Sequence, residues 1–137
     1  RMADPHPYEN VSVLVIEDMA SVRKLIKNML IQLGIRAVFE AGDGKAGLEE
    51  TIRTCPTVVL CDVHMEPVDG RAYLKFLRNH PTRTIAATPV IMLTSDSSKD
   101  TVLFAKEHHA NGYLVKPVSL NHLKSRIDAV LRGTAPG

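Results

Sequence analysis

Four short apolar runs constrain the fold of this chain more than any other feature of its sequence. They occupy residues 13–16, 58–61, 90–93 and 113–115, and they are rich in β-branched residues. Apolar residues do not alternate with polar ones in these runs, as they would in a strand with one face in water. Strands that are covered on both faces show this pattern, which is typical of parallel sheets. The runs therefore predict a buried parallel sheet.

Helical patterns separate the apolar runs. A fifth, weaker run at 36–40 has polar ends, which suits an edge strand. An apolar stripe with helical spacing extends from Val22 to Leu33, and Gly34 supplies the stop signal. Further helices are predicted at 45–53, 71–79, 98–109 and 119–131, the last with Ser119 as its N-cap. Five consecutive βα units predict a single doubly wound α/β domain with helices on both faces of a five-stranded parallel sheet.

The composition fits one globular domain. The chain has 137 residues, of which 45% are hydrophobic and 23% charged, and this is enough for a single core. The net charge of +2 gives no argument for nucleic acid binding, and no apolar run approaches the length of a membrane span. We predict a flexible lead-in at 1–10, the domain at 11–132 and a short tail or linker start at 133–137. Arg1 is interpreted as an addition in front of Met2.

The two cysteines give a prediction about the redox environment. Cys55 and Cys61 do not form a CxxC pair, and Cys61 lies in a predicted buried strand. Both are therefore predicted to be reduced core thiols of a cytoplasmic protein.

Polar side chains follow several predicted strands at the points where the strands end. These residues are Glu17, Asp18, Asp62, Thr94, Ser95 and Lys116. In an open α/β sheet, ligands bind outside the carboxyl ends of the strands. We therefore expect three carboxylates, two hydroxyls and one ammonium group to converge on one edge of the sheet.

The charge balance of this predicted cluster calls for a cation. Three carboxylates repel one another in a partly dry site, and Lys116 supplies only one positive charge. Oxygen ligands favour Mg²⁺, whereas Zn²⁺ would need a second His or Cys beside His64. Each acid taken alone could equally be a helix N-cap or a solvated loop residue. Their coincidence at separate strand ends favours a site.

Four motifs carry a resemblance to a known family. They are "VLVIED", "LCDVHMEPVDG", "VIMLTS" and "GYLVKP", in this order along the chain. Over residues 11–131 the chain resembles the CheY-like receiver domains of two-component response regulators. The resemblance implies a flavodoxin-like fold with strand order 2-1-3-4-5.

The resemblance also implies roles for the predicted site residues. Asp62 is implied as the phosphoacceptor, and Thr94 and Lys116 as partners of the phosphoryl oxygens. The implied cofactor is Mg²⁺, with Glu17, Asp18, Asp62 and the backbone carbonyl of His64 as ligands. The Ser95 backbone amide is expected to help Mg²⁺, Lys116 and Thr94 to align the phosphoryl group and to neutralise its oxygens.

Two further positions match the family, and two depart from its commonest pattern. Tyr113 matches the aromatic switch residue that acts with Thr94 in many receivers, and Lys116–Pro117 matches a bond that is usually cis there. Glu17 stands where many members carry Asp. His64 stands where Asn, Asp or Met is more usual. Its imidazole is expected to lie near the path of the water that hydrolyses the phosphoryl group, and so to affect the lifetime of that group. Asp96 is expected to flank the same path.

The implied function is that of a phosphorylation-controlled binding module and not of an enzyme. The expected phosphodonor is a sensor histidine kinase or a histidine phosphotransfer protein. The expected output is a protein-binding face formed by the predicted helices 98–109 and 119–131 with the last strand. Basic residues on this face would favour an acidic partner: Lys99, Lys106, His108, His109, His122 and Lys124. No direct nucleic acid or membrane partner is expected.

Three other functions fit the sequence less well. A Mg²⁺-dependent aspartyl-phosphate phosphatase or phosphotransferase would usually carry a second Asp where this chain has His64. A flavodoxin-like nucleotide binder needs a glycine-rich loop after the first strand, and "EDMASVRK" has no glycine. A serine nucleophile at Ser95 would need a His–Asp relay and a GxSxG motif, and the sequence has no such motif. The receiver interpretation is favoured.

Overall fold

The sheet has the predicted strands in the predicted order. The computed structural model describes residues 7–95 and 99–133, without the side chains of residues 99–101. The strands are β1 Ser12–Ile16, β2 Ala37–Ala41, β3 Val58–Asp62, β4 Val90–Thr94 and β5 Gly112–Val115. Every neighbouring pair is parallel, and the order is β2-β1-β3-β4-β5. The prediction of a doubly wound α/β fold is confirmed.

The central strands are buried on both faces, as the lack of alternation predicts. Every residue of β3 and β4 is buried. Along β1, Val13 and Val15 belong to one core cluster, whereas Leu14 and Ile16 belong to another. Because successive strand residues point to opposite faces, the two clusters lie on opposite sides of the sheet. In β2 only Ala41 is buried, which fits the predicted edge position.

Five helices lie within two residues of the predicted bounds. They are α1 Ala20–Leu33, α2 Gly44–Thr54, α3 Gly70–Arg78, α5 Lys99–Glu107 and α6 Leu120–Leu131. The predicted first residue of the fourth helix, Ser98, lies outside the described residues. A single turn, α4 Arg83–Ala86, was not predicted. Within residues 7–95 and 99–133, no helix has both the length and the apolar character needed to cross a membrane.

Several helix ends follow from local sequence. Gly34 ends α1 with φ of 103°, a left-handed conformation that glycine adopts without a steric penalty. The side chains of Asp43, Asp69 and Ser119 accept backbone N–H bonds at the starts of α2, α3 and α6. These bonds satisfy donors that have no partner inside the helix. The prediction of Ser119 as an N-cap is confirmed.

Arg78 organises the connections before β4 and β5, a role that the sequence did not indicate. Its guanidinium donates to the backbone carbonyls of Ala86, Thr88 and His109 and to the side-chain oxygen of Asn111. The five bonds measure 2.7–3.1 Å. Burial lowers the pKa of Arg78. One charged side chain therefore satisfies acceptors from two separate segments.

Solvent exposure corrects one prediction and refines another. Cys55 is exposed, because it lies in the left-handed turn that ends α2, so only Cys61 is a core thiol. Tyr8, within the predicted lead-in, is only 4% exposed and joins the core cluster of Val13. Its hydroxyl donates to Asp128 at 2.6 Å. Residues 1–6 of the predicted lead-in 1–10 and residues 134–137 of the predicted tail 133–137 lie outside the described residues.

Candidate functional site

Three carboxylates meet where β1 and β3 end. Ile16 and Cys61 are register partners in these adjacent strands, so the chain places Glu17 and Asp62 side by side immediately afterwards. One carboxylate oxygen from each of Glu17, Asp18 and Asp62 lies within 4.8 Å of the others. Glu17 is fully buried and Asp62 nearly so, whereas Asp18 is exposed. The predicted acidic cluster therefore forms, with one side open to solvent.

Lys116 reaches this cluster from the end of β5. Its Nζ lies 2.6 Å from Glu17 Oε1 and 3.2 Å from Asp62 Oδ2. Burial of the ammonium group opposes its charge, but the two carboxylates outweigh this effect and raise the pKa of Lys116. The lysine is therefore charged, and it bridges two buried acids from different strands.

The neighbouring Glu17 raises the pKa of Asp18. A side-chain hydrogen bond with Glu17, slight desolvation and repulsion from Glu17 together raise the pKa of Asp18. All three cluster ligands are oxygen atoms, and the His64 imidazole is not among them. Such a donor set fits Mg²⁺ better than Zn²⁺. Among the residues that the structure describes, no second cluster of metal-ligating side chains was found.

Backbone contacts fix Glu17 in place. Its N–H donates to the carbonyl of Ala41 at 3.0 Å, and its carbonyl accepts from Arg23 Nη1 at 2.6 Å. Its Oε2 accepts the N–H of Met19 at 3.2 Å. A side chain with both carboxylate oxygens engaged is held in one orientation. Sequence reasoning did not identify Arg23, because its contact depends on how α1 packs over the end of β1.

Thr94 and Lys116 are linked through the backbone. Thr94 is the last residue of β4 and is fully buried. The N–H of Lys116 donates to the Thr94 carbonyl at 2.7 Å, and the Lys116–Pro117 bond is cis, as the family resemblance implied. Ser95 is exposed at the edge of the site, whereas Asp96 lies outside the described residues. Two residues with implied roles at the phosphoryl group thus come from adjacent strand ends.

The β3–α3 loop, residues 63–69, borders the acidic cluster. The N–H of Val63 extends the sheet by donating to the carbonyl of Leu93 at 2.9 Å. His64 is exposed, and a cleft of about 250 Å³ lies between it and Asp18. Met65, Glu66 and Asp69 also line this cleft. The His64 imidazole therefore lies at the mouth of the site, where a side chain can affect access to the cluster.

Tyr113 lies on β5 beside a larger groove. It is half-buried, and its register partner in β4 is Met92. The groove has a volume of about 470 Å³ and runs between β5 and α6. Its lining includes His122 and Arg126, the latter not identified from the sequence. Tyr113 thus stands between the strand ends that carry the site and an open surface.

The predicted basic residues are not equally available at this surface. Lys106, His109 and His122 are exposed. Lys124 is paired with Asp128 at 2.7 Å, and the His108 ring packs on a phenylalanine of α5. The Lys99 side chain lies outside the described residues. The proposed basic surface is therefore smaller than the sequence indicated.

The sequence is similar to those of known proteins. The family model described as "Response regulator receiver domain" matches residues 13–128. The chain is 32% identical over 122 residues to a "Probable chemotaxis protein CheY" of Rhizobium etli, covering 89% of this chain and 93% of that one. It is 29% identical to chemotaxis protein CheY-3 of Vibrio cholerae, with 89% and 92% coverage.

Solved structures share the same fold. Chemotaxis protein CheY4 of Vibrio cholerae superposes with a TM-score of 0.80 at 28% identity, covering 88% of this chain and 98% of that one. The signal receiver domain of a signal transduction histidine kinase from Syntrophus aciditrophicus gives a TM-score of 0.79 at 26% identity, with 90% and 91% coverage. Both structures extend over nearly the whole described chain.

Proposed function

This chain belongs to the response regulator receiver family of two-component signalling, and from that premise we propose that Asp62 accepts a phosphoryl group from a phosphohistidine. The observation that carries the proposal is the contact of Asp62 with Lys116 at 3.2 Å inside the cluster of Glu17, Asp18 and Asp62. A carboxylate held between an ammonium group and other acids at the end of a central strand is placed for phosphoryl chemistry.

The acidic cluster is proposed to hold Mg²⁺. Carboxylate oxygens of Glu17, Asp18 and Asp62 would bind it together with the backbone carbonyl of His64, and water would complete the coordination. Bound Mg²⁺ would offset the negative charge of the acids and of an incoming phosphoryl group. Few protein ligands and several waters favour weak binding in the absence of a phosphoryl group.

The proposed phosphoryl transfer needs no general base, because the attacking Asp62 carboxylate has no proton to lose. A carboxylate oxygen of Asp62 attacks the phosphorus atom, and the bond from phosphorus to the donor histidine nitrogen breaks. The electrons of that bond leave with the imidazole, which then takes a proton. The Lys116 ammonium and the Thr94 hydroxyl donate hydrogen bonds to the phosphoryl oxygens as charge redistributes. Attack by water on phosphorus later breaks the bond from phosphorus to the Asp62 oxygen. This step restores the Asp62 carboxylate and releases inorganic phosphate, and the proton lost by the water passes to the phosphate or to solvent. We propose that His64 affects the rate of this step.

The proposed output is a change in the surface formed by α5, β5 and α6, which we call the output face. Movement of Thr94 toward the phosphoryl group would let the Tyr113 side chain change its orientation beside the groove of β5 and α6. The exposed groups Lys106, His122 and Arg126 favour an acidic partner segment.

We propose that residues 11–132 form a signalling module, which supports its own phosphorylation and slow hydrolysis but does not turn over an outside substrate. Its partners are a sensor histidine kinase or histidine phosphotransfer protein and a downstream protein target. We place the module in the cytoplasm, where such kinases expose their phosphohistidine.

The experiment is phosphorylation of the purified protein by acetyl phosphate with Mg²⁺, followed by intact mass. The wild type should gain one phosphoryl group, and Asp62→Ala should gain none. Glu66→Ala is the matched control, because it removes an exposed acid from the same loop and should label like the wild type. Full labelling of Asp62→Ala would show that the phosphoacceptor is another residue.

A further inference from the structure

The β3–α3 loop determines where Asp62 and the His64 carbonyl lie relative to Glu17 and Asp18. We infer that Gly44, the first residue of α2, is a positioning residue that holds this loop in place. Gly44 itself does not belong to the acidic cluster. The inference rests on the proposed function, because it concerns the placement of the phosphoacceptor and of one proposed ligand.

The contact between Gly44 and the loop depends on the absence of a side chain. The Gly44 N–H donates to the carbonyl of Val68 at 2.8 Å. A Cβ atom at position 44 would lie 2.8 Å from the oxygen of Val68, 2.9 Å from the oxygen of Asp69 and 2.7 Å from Val68 Cγ1. Two of these atoms belong to the backbone, so rotation of a side chain cannot relieve the overlap. Any larger residue must push the loop away from α2.

The other end of the loop is fixed in a similar way. The Gly70 N–H donates to the carbonyl of Val63 at 2.9 Å, and a Cβ atom at Gly70 would overlap the carbonyl oxygen of Asp62. Val63 itself and Met65, further along the loop, are buried in the core. A loop that is fastened at Val63 cannot take up a displacement at Val68 by sliding as a unit. The displacement must instead distort the segment that contains His64.

Backbone conformation does not account for glycine at position 44. Among the described glycines, only Gly34 and Gly133 have positive φ, so alanine can adopt the Gly44 backbone. Alanine also favours helix over glycine. Without the contact to the loop, Gly44→Ala would therefore be neutral or stabilising. A loss of function in this variant would arise from the contact.

Two nearby glycines provide matched controls. A Cβ atom at Gly42 would have only Arg23 Nη1 within 4 Å, at 3.9 Å, so Gly42→Ala is accommodated. On α2 itself, a Cβ atom at Gly47 would meet only the side chain of Ile16 among its nearest atoms. The nearest contacts of a methyl group at position 47 therefore lie on β1 and not on the loop. The three substitutions are chemically identical and differ in what the new methyl group meets.

The test compares these three variants with the wild type in two measurements. The first is amide hydrogen exchange of residues 63–69 without a phosphodonor, and the second is the labelling rate with acetyl phosphate over a range of Mg²⁺ concentrations. In Gly44→Ala, exchange in the loop should rise at least tenfold, the labelling rate should fall at least tenfold, and half-maximal labelling should need more Mg²⁺. Gly42→Ala should stay within twofold of the wild type in the loop and in labelling. Gly47→Ala should stay within twofold of the wild type in loop exchange; its labelling is not used as a control, because its methyl group meets Ile16, the residue before Glu17.

Each result decides one claim. Loop exchange and labelling in Gly44→Ala that match Gly42→Ala would overturn the inference while leaving the proposed function intact. A wild type that takes no label would overturn the proposed function itself. If Gly44→Ala does not fold, exchange of the Gly44 amide in the wild type decides: protection supports its bond to Val68, and exchange as fast as at a solvent-exposed amide refutes it.

Discussion

Removal of the positive charge at Lys116 should destabilise the protein and make its stability depend more strongly on Mg²⁺. Lys116→Met keeps most of the side-chain length and removes the ammonium group that bridges Glu17 and Asp62 at 2.6 Å and 3.2 Å. The variant leaves three carboxylate oxygens within 4.8 Å of one another with no ammonium group bridging them. In the folded state these acids then repel one another, whereas in the unfolded chain they are separated and solvated.

The size of the loss follows from the two contacts. At an effective dielectric constant of about 20, the Coulomb attraction is roughly 6 kcal/mol for the shorter contact and roughly 5 kcal/mol for the longer one. Desolvation of the ions offsets most of this attraction, and removal of one partner of a buried pair costs about 3–5 kcal/mol. The Lys116 side chain is 23% exposed, which lowers the expected loss in free energy of unfolding to about 2–4 kcal/mol.

Urea denaturation in EDTA and in Mg²⁺ measures both effects. Mg²⁺ at 100 times its Kd stabilises a protein by about 2.7 kcal/mol, and the more negative site of Lys116→Met should gain more from Mg²⁺ than the wild type. Lys27→Met is the control, because its exposed pair with Glu40 should contribute about 1 kcal/mol or less. A Lys116→Met variant that loses no more stability than Lys27→Met, or gains no more from Mg²⁺ than the wild type, would refute the reasoning.

Three further predictions concern other parts of the structure. Arg78→Met removes five hydrogen bonds of a half-buried guanidinium and should cost about 2–4 kcal/mol in urea denaturation, whereas a loss below about 1 kcal/mol would contradict its organising role. Burial opposes the charge of Asp128, but its hydrogen bonds with Lys124 and Tyr8 outweigh burial and lower its pKa. The contribution of Asp128 to stability should be present above about pH 4 and lost as the pH falls. Asp128→Asn should therefore reduce the dependence of the free energy of unfolding on pH in acid. An unchanged dependence would contradict this contribution of Asp128. Phosphorylation should change NMR chemical shifts across the output face in the wild type and much less in Tyr113→Ala; wild-type changes confined to the loops near the acidic cluster would rule out the proposed switch.

The sequence by itself determined the sheet, the predicted helices and the chemistry at the strand ends. Apolar runs in which polar residues do not alternate indicate strands that are buried on both faces, whichever helices cover them. Strands that alternate with helices along the chain form a parallel sheet. The positions of Glu17, Asp62 and Thr94 followed directly, because parallel strands place their carboxyl ends at one edge. The stop at Gly34 and the cap at Ser119 also followed, since both depend on local backbone bonds.

The tertiary structure decided the contacts that join distant segments. Lys116 could be placed at the right edge, but its two partners and their distances depend on how far β5 lies from β1. Cys55 was predicted to be buried and is exposed, because a turn of left-handed backbone at the end of α2 carries no pattern in the sequence. The short α4 turn, the five bonds of Arg78 and the approach of Gly44 to Val68 were likewise not foreseen. The bonds of Arg78 and the approach of Gly44 to Val68 depend on distances between separate segments, whereas periodicity and local propensity report only on near neighbours. The α4 turn is local but too short to show a helical period.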